Sequence, residues 1–174
     1  MRRFVAVAGL LLAATTALPF EEAPASSVRL VPSVAYYPLI ASNGRNFVLT
    51  WDGRRATGWF VFRAVVDAGG TIVDSRPIGN ADALGVVGIA SDGDSYLIAT
   101  ESDGALLLDA DGALQRTIQA PADTQYVASN GGSFLLASRS ALQMLDRSGA
   151  PIGPPIRSPE TIVAVAGNGG AISS

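Results

Sequence analysis

The stretch IASDGDSYLIA, residues Ile89–Ala99, joins two short apolar runs through an Asp-Gly pair. Taken alone, with two acids around a glycine in Asp92-Gly93-Asp94, it fits a ligand loop as well as a tight turn. Its counterparts decide between them. Ile40-Ala41-Ser42-Asn43-Gly44 leads into Phe47-Val48-Leu49, and Val127-Ala128-Ser129-Asn130-Gly131 leads into Phe134-Leu135-Leu136. A further copy begins at Val165-Ala166-Gly167-Asn168-Gly169. Glycines 44, 93, 131 and 169 are 49, 38 and 38 residues apart. Asp94 has no acidic counterpart in the other copies, so the acid is not what repeats. Asx-Gly and the aromatic that follows are. Asn, Asp and Gly tolerate the positive φ that a tight turn between twisted strands requires, which makes Asx-Gly between apolar runs a hairpin signal.

Each full unit carries a second turn: Asp67-Ala68-Gly69-Gly70, Asp109-Ala110-Asp111-Gly112 and Asp146-Arg147-Ser148-Gly149. Two hairpin turns and the link between them divide each unit into four strands. In the second unit these fall at about residues 85–90, 95–101, 105–109 and 114–118. Repeats of roughly 40–45 residues with four short strands are the sequence signature of propeller blades. The expected fold is therefore all-β, a partial β-propeller of four-stranded antiparallel blades, with a β-sandwich as the alternative that strand count alone would also fit. The units span about residues 38–84, 85–122 and 123–160, with a partial unit at 161–174. The first strand, as in Val86-Val87-Gly88-Ile89-Ala90, is small and apolar throughout, as expected of a strand near a crowded axis and buried on both faces. The aromatics Phe47, Tyr96 and Phe134 are expected to pack between neighbouring blades.

The pattern Ala-Ser-Asx-Gly, two residues, an aromatic, aliphatics, then Asp-x-x-Gly, resembles the blade repeats of secreted bacterial β-propeller proteins over about Pro38 to Gly170. The resemblance implies the fold; such scaffolds serve binding, adhesion and catalysis alike. Trp51-Asp52 is a WD dipeptide by letter, but the chain holds no Gly-His, and this departs from WD40 repeats. Ser148-Gly149-Ala150-Pro151 echoes part of an integrin-type motif without its acidic calcium loop.

Composition bounds the chemistry. The chain has 174 residues, 48% hydrophobic and 16% charged, enough apolar material for one folded domain. It contains no Cys and no His, and all 12 of its basic residues are Arg. Thiolate nucleophiles, Ser-His-Asp triads, imidazole proton shuttles, lysine Schiff bases and the usual tetrahedral zinc sites are thereby excluded. No cofactor is expected. The net charge of −3, with Arg scattered among Asp, argues against nucleic acid, which needs clustered basic residues.

Arg2-Arg3 precede an eleven-residue apolar run, Phe4 to Ala14, followed by small residues. This order is that of a secretory signal, and the run is shorter than the about 20 apolar residues of a membrane span. A signal peptide over residues 1–25 is expected, cleaved after Ala25 or alternatively after Ala17, leaving no stable membrane anchor and an exported protein. Residues 26–37 are then an N-terminal linker or first strand.

The first unit is the irregular one, its extra length falling around Leu49 to Trp59. Trp51 and Trp59 flank the pair Arg54-Arg55, and Trp and Arg are enriched where partners bind. These four residues are the candidate recognition surface, for a protein or glycan; the plainer alternative is that the tryptophans pack on the neighbouring blade. Asp109-x-Asp111-Gly112 and Asp92-Gly93-Asp94 supply too few oxygens for calcium, which takes six to eight ligands, and are read as turns, so no metal is expected. The turn set is Asn43, Gly44, Asp92, Gly93, Asn130, Gly131, Asn168 and Gly169. Glu101 and Asp103 form the nearest approach to a glycosidase carboxylate pair, but they sit on one hairpin, and the strands expected near the axis carry no acid. No catalytic residue is assigned. The competing class is part of a carbohydrate-active hydrolase or lyase whose catalytic residues lie outside this chain. Three units and part of a fourth do not close a ring, which implies either a fragment of a longer reading frame or assembly that completes the propeller.

Overall fold

The computed structural model describes residues 35–80, 85–101 and 104–165. The signal segment, Asp103, Asn168 and Gly169 lie outside the described residues. Among the described residues, twelve strands form three four-stranded antiparallel sheets, each in sequential order. Blade 1 contains β1 (Ala35–Ser42), β2 (Asn46–Arg55), β3 (Gly58–Asp67) and β4 (Ile72–Asn80). Blade 2 contains β5 (Val86–Ser91), β6 (Tyr96–Thr100), β7 (Gly104–Leu108) and β8 (Leu114–Gln119). Blade 3 contains β9 (Thr124–Ser129), β10 (Ser133–Ser138), β11 (Ala141–Asp146) and the two-residue β12 (Ile156–Arg157). The first strands gather at one side, β1 beside β5 and β5 beside β9. Three separate sheets sharing an inner edge make a partial propeller and exclude the two-layer sandwich.

The repeat earns its spelling in the first turns. In each blade one Asx oxygen accepts two backbone N–H groups across the turn: Asn43 Oδ1 from Arg45 and Asn46, Asp92 Oδ1 from Asp94 and Ser95, Asn130 Oδ1 from Gly132 and Ser133. The following glycines, 44, 93 and 131, adopt φ of 85°, 96° and 85°, the left-handed region that side chains resist. The serine before each Asx also has a fixed task. Ser42, Ser91 and Ser129 each accept the glycine N–H through Oγ and donate to the carbonyl at the far side of the turn. Ala-Ser-Asx-Gly is thus a complete hydrogen-bonded cap for the hairpin.

Alternation along the strands sends apolar side chains to both faces of each blade. Between blades 1 and 2, Val48, Val61 and Val65 meet Tyr96, Ile98, Leu106 and Leu108. Between blades 2 and 3, Leu97, Ala99, Leu107 and Ile118 meet Phe134, Leu136 and Leu145. Each such side chain removed from water contributes roughly 1.5–3 kcal/mol. Tyr96 and Phe134 are 0% exposed, whereas Phe47, at the same place in blade 1, is 42% exposed. The inner strands differ from expectation: Val87, Gly88, Ile89 and Ala90 are half-buried, because the described blades enclose the axis on one side only. Residues 161–165 carry no strand.

Candidate functional site

The extra residues of blade 1 lengthen strands rather than a loop. β2 and β3 pair continuously from Asn46↔Asp67 to Arg55↔Gly58, ten residues a side, where β6 and β7 have five and β10 and β11 have six. At about 3.4 Å per residue the hairpin overhangs its neighbours by about 15 Å. Its turn, Ala56-Thr57, is exposed, and Gly58 closes it at φ 139°.

Strand alternation divides the four candidate residues between two faces of this hairpin. Trp51 and Arg55 share the face away from blade 2. There Trp51 is 2% exposed and stacked on Phe62, with ring centroids 5.7 Å apart and planes 11° from parallel. Phe60 meets Phe62 edge-on at 6.3 Å, and the Arg55 guanidinium lies 5.0 Å from the Phe62 ring centre. A flat cation over an aromatic ring gains from the ring quadrupole, so Arg55 helps close this stack. Arg54 and Trp59 lie directly across from one another on the other face, Arg54 exposed and Trp59 half-buried. The structure thus turns Trp51 into the blade and leaves Arg54 and Trp59 as the cross-strand pair at the overhanging end.

Asp52 binds the hairpin base to blade 2. Both of its oxygens accept the Val86 N–H, at 3.2 and 3.1 Å. Burial raises its pKa, the Val86 hydrogen bond opposes this, and the charge of nearby Glu101 adds to it. Glu101 itself is exposed, its N–H donating to Gly85. Sequence reasoning missed Asp52 because its role depends on a partner 34 residues away. The acids considered for calcium do turn work: Asp109 Oδ1 accepts from Asp111 and Ala113, as Asp67 Oδ1 does from Gly69 and Thr71.

On the outer rim, Phe60, Arg76, Pro77, Ile78 and Gly79 of blade 1 and Ala113 and Leu114 of blade 2 line a groove of ≈ 470 Å³. Arg76 is fixed beside it by an ion pair to Asp74 at 2.8 Å, and Asp74 also meets the buried Arg63 at 2.7 Å.

Polar ties cross both blade junctions at the turn end. Asn43 Nδ2 donates to Ala110 O at 3.0 Å, and Asn46 Nδ2 donates to the same carbonyl at 3.1 Å. The Tyr96 hydroxyl reaches Asn46, 2.5 Å from Oδ1 and 3.1 Å from the backbone oxygen; burial pushes its pKa up to about 12. At the next junction Arg147 Nη1 is 3.1 Å from Asp94 Oδ2 and its Nε is 3.7 Å from Asp92 Oδ2. The first turns of blades 1 and 2 are therefore each tied to the second turn of the following blade.

No known protein family and no curated protein matches the chain. Solved structures do. A HIRA fragment, residues 644–1017, matches at a TM-score of 0.52 and 12% identity, over 74% of this chain and 41% of that one. BamB from Moraxella catarrhalis matches at 0.47 and 20%, over 74% and 38% of the two chains. AztD from Citrobacter koseri matches at 0.48 and 12%, over 70% and 47%. The chain spans less than half the length of each of these structures. The HIRA fragment is a β-propeller structure, and with three sequential four-stranded sheets around a shared inner edge the chain has the fold of a partial β-propeller.

Proposed function

We propose that the chain is an exported, non-catalytic propeller module that recognises a protein partner through the overhanging β2–β3 hairpin. The observation that carries this is the hairpin itself: about 15 Å of paired strand beyond its neighbours, ending in Arg54 and Trp59. An extension that only stabilised the blade would need no such reach, and rigid strands position contact residues better than a loop of the same length. The aromatic stack of Trp51, Phe62 and Phe60 under Arg55 stiffens its base. A protein partner is favoured over a glycan because the Trp51 ring face that would meet a sugar lies against Phe62. Export rests on the Arg2-Arg3, apolar-run and small-residue order of Met1 to Ala25. The absence of Cys, His and Lys supports a binding role over a catalytic one.

The test compares the mature protein with an Arg54→Ala/Trp59→Ala variant as bait for extracellular and envelope proteins of its source. The expected result is a partner retained by the wild type and lost with the variant while the far-ultraviolet circular dichroism stays that of the wild type. Equal retention by both, or binding on a glycan array and not to protein, would overturn the assignment.

A further inference from the structure

Blade 1 departs from the other two blades at one cross-strand pair. Arg63 and Arg76 stand directly across from one another on β3 and β4, and Arg63 lies four residues before the Asp of the second turn. The same place is held by Ala105 and Ile118 in blade 2 and by Leu142 and Ile156 in blade 3. The blade therefore asks for apolar side chains here; Ile118 belongs to the core between blades 2 and 3, where a Cβ on Gly149 would run into it. Two like charges directly opposed repel instead. Arg63 is 1% exposed, its Nε and Nη1 have no hydrogen-bond partner, and a Cβ on Gly112 would lie 3.6 Å from Nη1. Filling the junction would not need such a residue, because apolar side chains of similar volume serve as well or better.

Both guanidiniums reach one oxygen, Asp74 Oδ2: Nη2 of Arg63 at 2.7 Å and Nη2 of Arg76 at 2.8 Å. One carboxylate thus answers two cations, and the unmatched charge is displayed by Arg76, 58% exposed in the wall of the rim groove between blades 1 and 2. Among the described residues no acid lines that groove; the other walls are apolar, with Phe60, Pro77 and Ile78 on one side and Leu114, 42% exposed, on the other. We propose that the groove binds an extended peptide segment of a protein partner, an Asp or Glu carboxylate of the segment pairing with the Arg76 guanidinium while neighbouring bulky apolar side chains lie against Phe60, Ile78 and Leu114. Charge and apolar surface together set this class: an anion for the uncompensated cation, and a hydrophobic body for the walls. A segment fits better than a small molecule, since small-molecule sites enclose most of their ligand and this groove is open along the rim. Its side chains carry the recognition, because β4 is an edge strand interrupted by Pro77, which has no N–H to pair with an added strand. Neither Arg54 nor Trp59 lines the groove, so this site stands whether or not the β2–β3 tip binds a partner.

Random heptapeptides displayed on phage are selected on the immobilised mature protein and, in parallel, on Arg76→Gln, Leu114→Glu and Arg116→Gln. Arg76→Gln removes the groove's cation, Leu114→Glu sets a like charge against the incoming acid at an exposed position, and Arg116→Gln removes one positive charge from exposed β8 outside the groove. The wild type and Arg116→Gln are expected to enrich peptides with Asp or Glu beside a bulky apolar residue. Both groove variants are expected to keep the far-ultraviolet circular dichroism of the wild type and to bind those peptides at least about tenfold more weakly by fluorescence anisotropy. Replacing the peptide's acid by its amide is expected to cost the wild type a similar factor and Arg76→Gln nothing further. No enrichment, enriched peptides without an acid, or equal binding by the wild type and both groove variants would overturn the proposal. So would binding of N-acetylleucine, a carboxylate with a single apolar side chain, as tightly as the selected peptides, which would make the groove a small-molecule site.

Discussion

Arg63 is 1% exposed between blades 1 and 2, and of its three nitrogens only Nη2 has a hydrogen-bond partner, Asp74 Oδ2 at 2.7 Å. Burial pushes the Asp74 carboxyl upward, but the hydrogen bonds and charges of Arg63 and Arg76 prevail and hold it below the usual 3.8. The folded carboxyl therefore binds its proton less tightly than the unfolded one. Its contribution is fully present above pH 3.8 and is lost as pH falls through the lowered folded value. Asp52 runs the other way. Burial, opposed by the Val86 N–H and assisted by Glu101, raises it, so its share of stability is complete below 3.8 and declines as pH rises through the raised value. Asp74→Asn leaves a buried guanidinium without its counterion. It is expected to cost about 2–3 kcal/mol at neutral pH, less than the ~3–5 kcal/mol of a fully buried pair because Asp74 is partly exposed and screened. Urea unfolding across pH checks this: the gap to wild type is expected to close in acid, and a gap of constant size would contradict the bridge as its source.

At the scale of elements, the hairpins were legible because their chemistry is local. Asx-Gly needs only its own φ and its own side-chain oxygen, and the strands of blade 2 fall within a residue or two of where the sequence places them. The serine before each Asx was visible as a repeat but not as a cap, since its two hydrogen bonds appear only once the turn is closed. The β2–β3 extension was legible as extra length and not as paired strand. That difference decides which way Trp51 points, because in continuous alternation every second side chain shares a face and Trp51 falls opposite Phe62. Trp51→Ala is accordingly expected to destabilise the fold by about 3–5 kcal/mol, as loss of a buried aromatic does, whereas Arg54→Ala, on the exposed end, stays within about 0.5 kcal/mol. Thermal or urea unfolding of the two variants separates packing from display. Equal stability of both would mean that Trp51 is not the keystone of this hairpin.

For the whole molecule, nearest-neighbour packing makes stability a sum of blades and junctions. Blade 2 is the one described blade with a neighbour on each face: Tyr96, Ile98 and Leu108 turn to blade 1, Leu97, Ala99 and Leu107 to blade 3. Blade 1 opens where Ile40 and Phe47 are exposed, and blade 3 ends in a two-residue strand whose Ile156 is exposed, as is Ile152 before it. Local opening follows the density of buried contacts, so amides of β6 and β7 are expected to exchange slowest and those of β11 and β12 fastest. Hydrogen exchange read strand by strand checks this order: protection of β11 and β12 equal to that of β6 and β7 would mean that local stability does not follow the buried contacts between blades.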